Sequence, residues 1–348
     1  MLGVRENSVN MPISRFTAFY PSRPFWAGSK VNFDDQSYEG WFHDQMAEEV
    51  YNRQTDAFTI KVCRDGRIML RIEALEHSVD GQAHAPIEDT VKKWGEYLDY
   101  LNAFYLLLDS STIKLAKLAY FNLHEITNRD AFRVTYENGK SIGENIVIES
   151  IASVFQMGRY SSSYRTGVPI QYDPQIMMRQ VISADVIAHA VESFAQVVAS
   201  PGLEKPLASF AKSLSEYKVG NYETSVVLSW FITEAAISHL WKIHVDSLNR
   251  DFQDGRKRIN RDRRDYLTGR DFPISLVSNL LELWDALPHP LFQDIDVVRG
   301  FRNKIIHGRD FAPGANEAQL AMKTAQEMID RLWGLRFIPN MGYSVTGL

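Results

Sequence analysis

An arginine, an asparagine and a histidine near the end of the chain have a spacing that suits phosphodiester chemistry. Arg299, Asn303 and His307 follow one another at intervals of four residues, so a helix would place them on one face, with Arg302 beside them. An imidazole can take or give a proton near neutral pH, and a guanidinium can hold the negative charge that develops on phosphorus. The pattern predicts attack on a phosphodiester by the RNA's own 2′-hydroxyl, a reaction that requires no metal or other cofactor.

The flanking residues indicate that this stretch forms the end of a helix. Val298, Phe301 and Ile305 recur at helical spacing and would form its buried edge. Gly308 follows directly and supplies a natural stop. The polar residues would therefore lie on the other faces of a helix in the penultimate position of the chain.

The run Arg302-Asn303-Lys304-Ile305-Ile306-His307 resembles the signature of HEPN domains, in which an arginine and a polar residue are followed after a short gap by a histidine. Trp230 and Glu234, in SVVLSWFITEAAISHLW, match the tryptophan and acidic residue that the Apea-like branch carries on an early helix. The resemblance covers residues 219–338 and does not extend to residues 1–172.

This resemblance implies an all-α bundle of four or five helices that forms a homodimer, so that two motifs meet in one cleft. It also implies a metal-independent endoribonuclease that leaves a 2′,3′-cyclic phosphate, in a toxin or antiviral defence role. His307 would then transfer protons, and Arg302 would bind the scissile phosphate. Asn303 would orient the histidine or the phosphate, and Glu234 would brace the arginine. Two-fold pairing would bring both a base and an acid to one phosphate.

Three other interpretations stay open. A HEPN fold without nuclease activity would serve as a helical dimerisation or adaptor module. A nucleotide-binding regulator would use Arg302 and a nearby basic loop to hold a phosphate ligand without cleaving it. The same residues could also form an ordinary polar helix face that ends in a histidine.

A cluster of cations between two predicted helices, in residues 250–270, is the second candidate for contact with RNA. Because the formal net charge is -5, nucleic acid would have to bind through a local patch of this kind. Four aspartates are interleaved with the cations, so a solvated, salt-bridged loop is equally compatible with the sequence. The residues expected to contact RNA are Arg256, Lys257, Arg258, Arg261, Arg264, Lys304 and Arg309.

The whole chain has 348 residues, of which 45% are hydrophobic and 23% charged, so it can form two folded units. We expect an α+β domain over residues 1–172, with an unknown ligand or partner, and a helical domain over residues 173–348. No apolar run is long enough to span a membrane, and the first residues lack the order of a secretory signal, which predicts a cytoplasmic protein. The single cysteine, Cys63, excludes an intrachain disulfide and a cysteine-based zinc site.

Periodicity predicts the elements that hold the motif. In the first domain it indicates strands at residues 14–19, 113–126 and 131–138, a hairpin with Asp65-Gly66 at its turn, and a helix around residues 91–108. Residues 142–155 fit either a strand or a helix. The helices predicted in the second domain are Gln175–Ala199, Leu203–Tyr217, Tyr222–Asn249, Pro273–Leu287, Phe292–His307 and Ala315–Trp333.

Overall fold

The computed structural model describes residues 13–34, 42–76, 86–137, 140–145, 174–253, 255–308 and 310–343. The chain divides into two compact units, residues 1–198 and 199–348. This division lies beyond the predicted boundary near residue 173. The first unit is rich in strands and the second is helical, as the sequence predicted.

Eight strands are described in the first unit. Six of them form one antiparallel sheet in the order β3-β4-β5-β1-β6-β7, and β2 pairs in parallel with β8. The strands are β1 (Ser14–Phe19), β2 (Phe25–Ala27), β3 (Glu49–Gln54), β4 (Phe58–Cys63), β5 (Ile68–Ile72), β6 (Phe132–Glu137), β7 (Lys140–Glu144) and β8 (Gln180–Ile182). The helices are α1 (Phe42–Ala47), α2 (Glu73–Glu76), α3 (Ile87–Ala116), α4 (Pro174–Met177) and α5 (Ala184–Ala199).

The predicted hairpin is confirmed as β4 and β5. Its turn requires a glycine, because Gly66 has a φ of +88° and a Cβ there would lie 2.9 Å from the carbonyl oxygen of Phe25. The Gly66 N–H donates to the carbonyl oxygen of Cys63 at 2.9 Å and closes the turn. The Cys63 thiol is buried, forms no disulfide and accepts a hydrogen bond from Arg67 Nη2 at 3.4 Å.

The six-stranded sheet curls into a half-barrel. Lys61 on β4 places its Nζ 4.2 Å from the ring centroid of Tyr136 on β6, although β5 and β1 lie between these strands. Arg67, at the start of β5, forms a buried ion pair with Glu144 at the end of β7. Strands lie about 4.8 Å apart in a sheet, so contacts across several strands require strong curvature.

The strand predicted at residues 113–126 is wrong. Helix α3 continues to Ala116 and ends at Lys117, which has a φ of 52°. The residues that follow belong to no helix or strand, and Asn102 of α3 holds them through both of its amide atoms, at 2.9 Å and 2.7 Å from the backbone of Ile126. The apolar pattern of this stretch therefore reflects packing against a helix and not pairing in a sheet.

The single helix predicted at residues 175–199 is also wrong, because α4, β8 and α5 replace it. Strand β8 forms because β2 offers a free edge, on which Trp26 pairs with Val181. Helix α5 then packs within the first unit, where the buried Phe194 ring lies 5.4 Å from that of Phe58 and 5.5 Å from that of Phe104. This packing moves the division of the chain to residue 198. Of the ambiguous residues 142–155, those as far as Glu144 belong to β7, and 146–155 lie outside the described residues.

The second unit contains the five remaining predicted helices, with ends that shift by up to four residues. A short helix, α8, also forms where a basic loop was expected, because the Asn260 side chain accepts a hydrogen bond from the Arg263 N–H at 2.9 Å and starts it. The helices are α6 (Glu204–Lys218), α7 (Tyr222–Ser247), α8 (Arg261–Leu267), α9 (Ile274–Leu283), α10 (His289–Ile306) and α11 (Ala315–Trp333).

Helix α7 is the central element of this unit and packs against α6, α9, α10 and α11. Small buried residues allow it to approach α6 closely, because the hydroxyl of Ser213 lies 2.8 Å from that of Ser229 and bonds the Ser225 carbonyl at 3.0 Å. No helix in the described part of the chain has the length and apolar character that a membrane span requires.

Candidate functional site

A surface cleft of about 390 Å³ in the helical unit collects most of the predicted motif. Helix α7 contributes an aromatic and an acidic side chain, and α10 contributes two arginines and an asparagine. The third wall consists of the first turn of α9 and the residues that precede it. The lining residues are Trp230, Glu234, Arg270, Phe272, Pro273, Ile274, Ser275, Arg299, Arg302 and Asn303.

Apolar residues of helix α10 anchor the helix that carries the motif. Val298 is fully buried as predicted, whereas Phe301 and Ile305 are half-buried. The Phe301 ring stacks on that of Phe311 with centroids 5.6 Å apart, which covers this edge of the helix. Arg302 lies one turn after Val298 on the same side of the helix, and Asn303 is the next residue; both line the cleft.

The guanidinium of Arg302 retains donors for an anion. Its Nη1 donates to the Oδ1 of Asn303 at 3.1 Å, which orients the group. Its Nη2 forms no hydrogen bond with the residues that the structure describes and is the donor that an anion could reach, whereas its Nε is buried without a partner. Arg299, by contrast, is engaged in an ion pair with Asp296 on the same helix. Arg302 is therefore the better placed of the two motif arginines to hold a phosphate.

Glu234 lies in the same cleft, one turn after Trp230 on α7. It is half-buried, and Trp230 is 3% exposed, so the tryptophan is a wall of the cleft and not a free ring. Within the described ranges, no ion pair joins Glu234 to Arg302, so the bracing role of this carboxylate stays a prediction. The lining holds three arginines and one glutamate, and Asp296 pairs with one of those arginines, Arg299. A net positive charge remains, which favours an anionic ligand.

His307 caps the C-terminal end of α10 and is exposed. Its N–H donates to the carbonyl oxygen of Asn303 at 3.1 Å, and Gly308, with a φ of +60°, ends the helix as predicted. The helix itself ends at Ile306, one residue earlier than expected. The imidazole does not line the cleft of its own chain. It forms no hydrogen bond or ion pair with any side chain in the described part of the molecule.

Those of the expected RNA-binding cations that the structure describes are exposed but lie outside the cleft lining. Arg264 is already engaged, because its Nε and Nη2 donate to the two carboxylate oxygens of Asp246 at 2.8 Å and 2.7 Å. These hydrogen bonds lower the pKa of the Asp246 carboxyl. Arg261 lies 3.9 Å from Asp265, one turn along α8. The other expected cations that the structure describes are Arg256, Lys257, Arg258 and Lys304, and Arg309 lies outside the described residues.

Two polar lining residues, Arg270 and Ser275, were not predicted as part of the site. Arg270 is the last residue of the basic segment 250–270, and nothing in the sequence distinguishes it from the other cations of that segment. Ser275 stands in the first turn of α9, and the preceding Pro273 was the only available signal of that position. Both are more than twenty residues away from the motif, so spacing along the chain could not bring them to it.

Comparisons with known proteins identify no relative, so the function of the site is inferred from its geometry alone. No family model, no curated protein and no solved structure shows a significant match to this chain. In the described ranges, no three histidine, cysteine, aspartate or glutamate side chains are grouped so that they could hold a metal ion.

Proposed function

We propose that the helical unit is a metal-independent endoribonuclease of the HEPN type that works as a homodimer. One observation supports this most strongly: Arg302 and Asn303 line a positively charged cleft, and His307 is exposed one turn beyond them on the same helix. A guanidinium and an imidazole are the two groups that in-line attack by a 2′-hydroxyl needs.

In the proposed reaction, Arg302 binds the non-bridging oxygens of the scissile phosphate. One imidazole accepts the proton of the 2′-hydroxyl, and the 2′-oxygen then forms a bond to phosphorus. The bond from phosphorus to the 5′-oxygen breaks, and that oxygen takes a proton from an imidazolium. The products are a 2′,3′-cyclic phosphate and a 5′-hydroxyl, with no net change in protons.

The homodimer belongs to the proposal because one chain supplies one imidazole, and that imidazole lies outside its own cleft. A two-fold axis near the end of α10 would bring the His307 of each chain towards the arginine of the other. Ile306, the neighbouring residue, is 48% exposed and offers an apolar side chain to such a contact. Two imidazoles at one phosphate could then act as the base and the acid.

The experiment measures cleavage of a labelled RNA by the purified full-length protein in EDTA. We expect cleavage by the wild type and a loss of at least about 100-fold in His307→Ala and in Arg302→Ala. His289→Ala is the matched control, because His289 is the exposed residue at the opposite end of α10 and pairs with Glu282 at 2.8 Å. Unchanged helical circular dichroism shows that each variant is folded. Cleavage that requires an added divalent metal, or that survives His307→Ala, would overturn the proposal.

With this activity we propose a role in toxin or antiviral systems and a cytoplasmic location, since RNA cleavage inside a cell arrests growth. We expect induced expression of the wild type in bacteria to slow growth, and His307→Ala to relieve this at equal protein level. Slowing of growth by both proteins would remove the support for this role.

The second candidate is a nucleotide-binding regulator, and the position of His307 outside the cleft favours it. Such a protein would hold a phosphate ligand between Arg302 and the other cleft cations without cleaving RNA. Thermal stabilisation by nucleoside phosphates, lost in Arg302→Gln, together with no RNA cleavage under any condition, distinguishes it from the nuclease.

A further inference from the structure

We propose that the cleft has a second phosphate site, formed by Arg270 and the first turn of α9, so that single-stranded RNA is held across two consecutive phosphates. This inference rests on the proposed function, in which Arg302 binds the scissile phosphate. It adds the substrate class: the cleft takes RNA with at least two phosphates and binds a single phosphodiester poorly.

Arg270 is the cation that the geometry assigns to the second site. It is exposed, it lines the cleft, and it has no carboxylate partner among the described residues. Two other arginines of this unit are differently placed: Arg299 is paired with an aspartate of its own helix, and Arg264 is held by both oxygens of Asp246. An exposed guanidinium in a cleft of net positive charge suits a phosphate.

The first turn of α9 adds uncharged donors to the same wall. The N–H groups of Leu276 and Val277 both donate to the carbonyl oxygen of Pro273, at 2.8 Å and 3.0 Å. The N–H groups of Ile274 and Ser275 and the Ser275 hydroxyl make no hydrogen bond within the described part of the chain. Pro273 precedes the helix and has no side-chain acceptor for them. Unsatisfied N–H groups at the positive end of a helix dipole favour an anion.

The two sets of donors belong to different elements of the cleft. Arg302 and Asn303 come from α10, whereas Arg270 and Ser275 come from α9 and the segment before it. The cleft, at about 390 Å³, lies within the size range of sites that enclose small ligands. A bidentate guanidinium is sufficient for one phosphate, so two separate sets suit two phosphates joined by one nucleoside.

The test compares two uncleavable ligands that differ by one nucleotide: a 2′-O-methyl dinucleotide with one phosphodiester and a 2′-O-methyl trinucleotide with two. The Arg270→Gln variant separates the contribution of the added phosphate from that of the added nucleoside. Binding to the full-length protein is measured by calorimetric titration. We expect the wild type to bind the trinucleotide at least about tenfold more tightly, because a second charge-assisted contact is made. Arg270→Gln should lose this advantage and still bind the dinucleotide normally, whereas Arg302→Gln should weaken both.

A second variant and a control guard against misfolding. Ser275→Asp places a carboxylate in the first turn of α9, where the helix dipole favours it, so the fold should be kept while a phosphate is repelled. We expect this variant also to lose only the trinucleotide advantage. Arg336→Gln is the control, because Arg336 pairs with Asp330 at 2.9 Å, is largely exposed and lies outside the cleft lining.

The outcomes separate this inference from the proposed function. The second site would be overturned if Arg270→Gln bound both ligands as tightly as the wild type does, or if it lost the same affinity for both. Neither result would affect the proposal of RNA cleavage. Equal affinity of the wild type for the two ligands would overturn it as well. If the wild type binds neither ligand and cleaves no RNA, the proposed function itself is overturned, and the second site with it.

Discussion

Replacement of Phe194 by alanine tests the observed division of the chain. Phe194 is fully buried on α5, and three rings surround it edge-on: Phe58 at 5.4 Å, Phe104 at 5.5 Å and Tyr100 at 6.1 Å. Removal of a buried phenylalanine costs about 3–5 kcal/mol, and edge-to-face ring pairs contribute about 0.5–1.5 kcal/mol each beyond burial. We therefore expect a loss near the upper end of the first range, about 4–5 kcal/mol, in the free energy of unfolding of the first unit.

The assay is hydrogen exchange of the full-length protein, read by mass spectrometry of peptides from β4, α3, α7 and α11. Each 1.4 kcal/mol is a factor of ten, so globally protected amides of β4 and α3 should exchange up to about 10³-fold faster. Phe210→Ala is the matched control: Phe210 is fully buried on α6, with its ring 4.9 Å from that of Phe337. It should affect α7 and α11 instead. Faster exchange of α7 and α11 in Phe194→Ala, with β4 and α3 unchanged, would refute the assignment of α5 to the first unit.

Three further predictions concern charged groups. Glu144→Gln should lower the free energy of unfolding in urea by about 3–5 kcal/mol, because it removes the carboxylate charge from a buried ion pair with Arg67; a change within about 0.5 kcal/mol would show that the pair is not buried in solution. Burial, and secondarily the charge of Lys114, lower the pKa of His189. The unfolded chain therefore binds more protons than the folded chain, so the stability should be fully present above pH 6.5 and fall as the pH drops below it. Urea titrations of His189→Gln should show a weaker dependence of stability on pH. An unchanged pH dependence would contradict the assignment of this effect to His189. Arg264→Gln should weaken binding of uncleavable RNA less than Arg270→Gln does, because the Arg264 fork is already occupied by a carboxylate, and an equal or larger loss would count against that ranking.

The helical elements of the second unit were predictable because their apolar residues recur at helical spacing over long stretches. Helices α7, α10 and α11 begin or end within a few residues of the predicted bounds for this reason. The break of residues 175–199 into α4, β8 and α5 was not predictable in this way. Strand β8 is three residues long and forms on the edge of β2, which lies more than 150 residues earlier in the chain.

The residues of the candidate site also differ in whether the local sequence could predict them. Arg302 and Asn303 are neighbours on one helix, so their spacing was sufficient to predict that they act together. Glu234 was linked to them through a family resemblance, and the structure places it in the same cleft. Arg270 and Ser275 reach the cleft only through the packing of α9 and α10 on α7, which no local pattern in the sequence encodes.

The identity of the new RNA ends tests the central claim most directly. The substrate is an oligodeoxynucleotide with one internal ribonucleotide, incubated with the full-length protein in EDTA and analysed by mass spectrometry. We predict a single cut on the 3′ side of the ribose, giving a 2′,3′-cyclic phosphate and a 5′-hydroxyl, and no cut in an all-deoxy control or with His307→Ala. Products with a 3′-hydroxyl and a 5′-phosphate, or cutting at deoxynucleotides, would contradict attack by the 2′-hydroxyl.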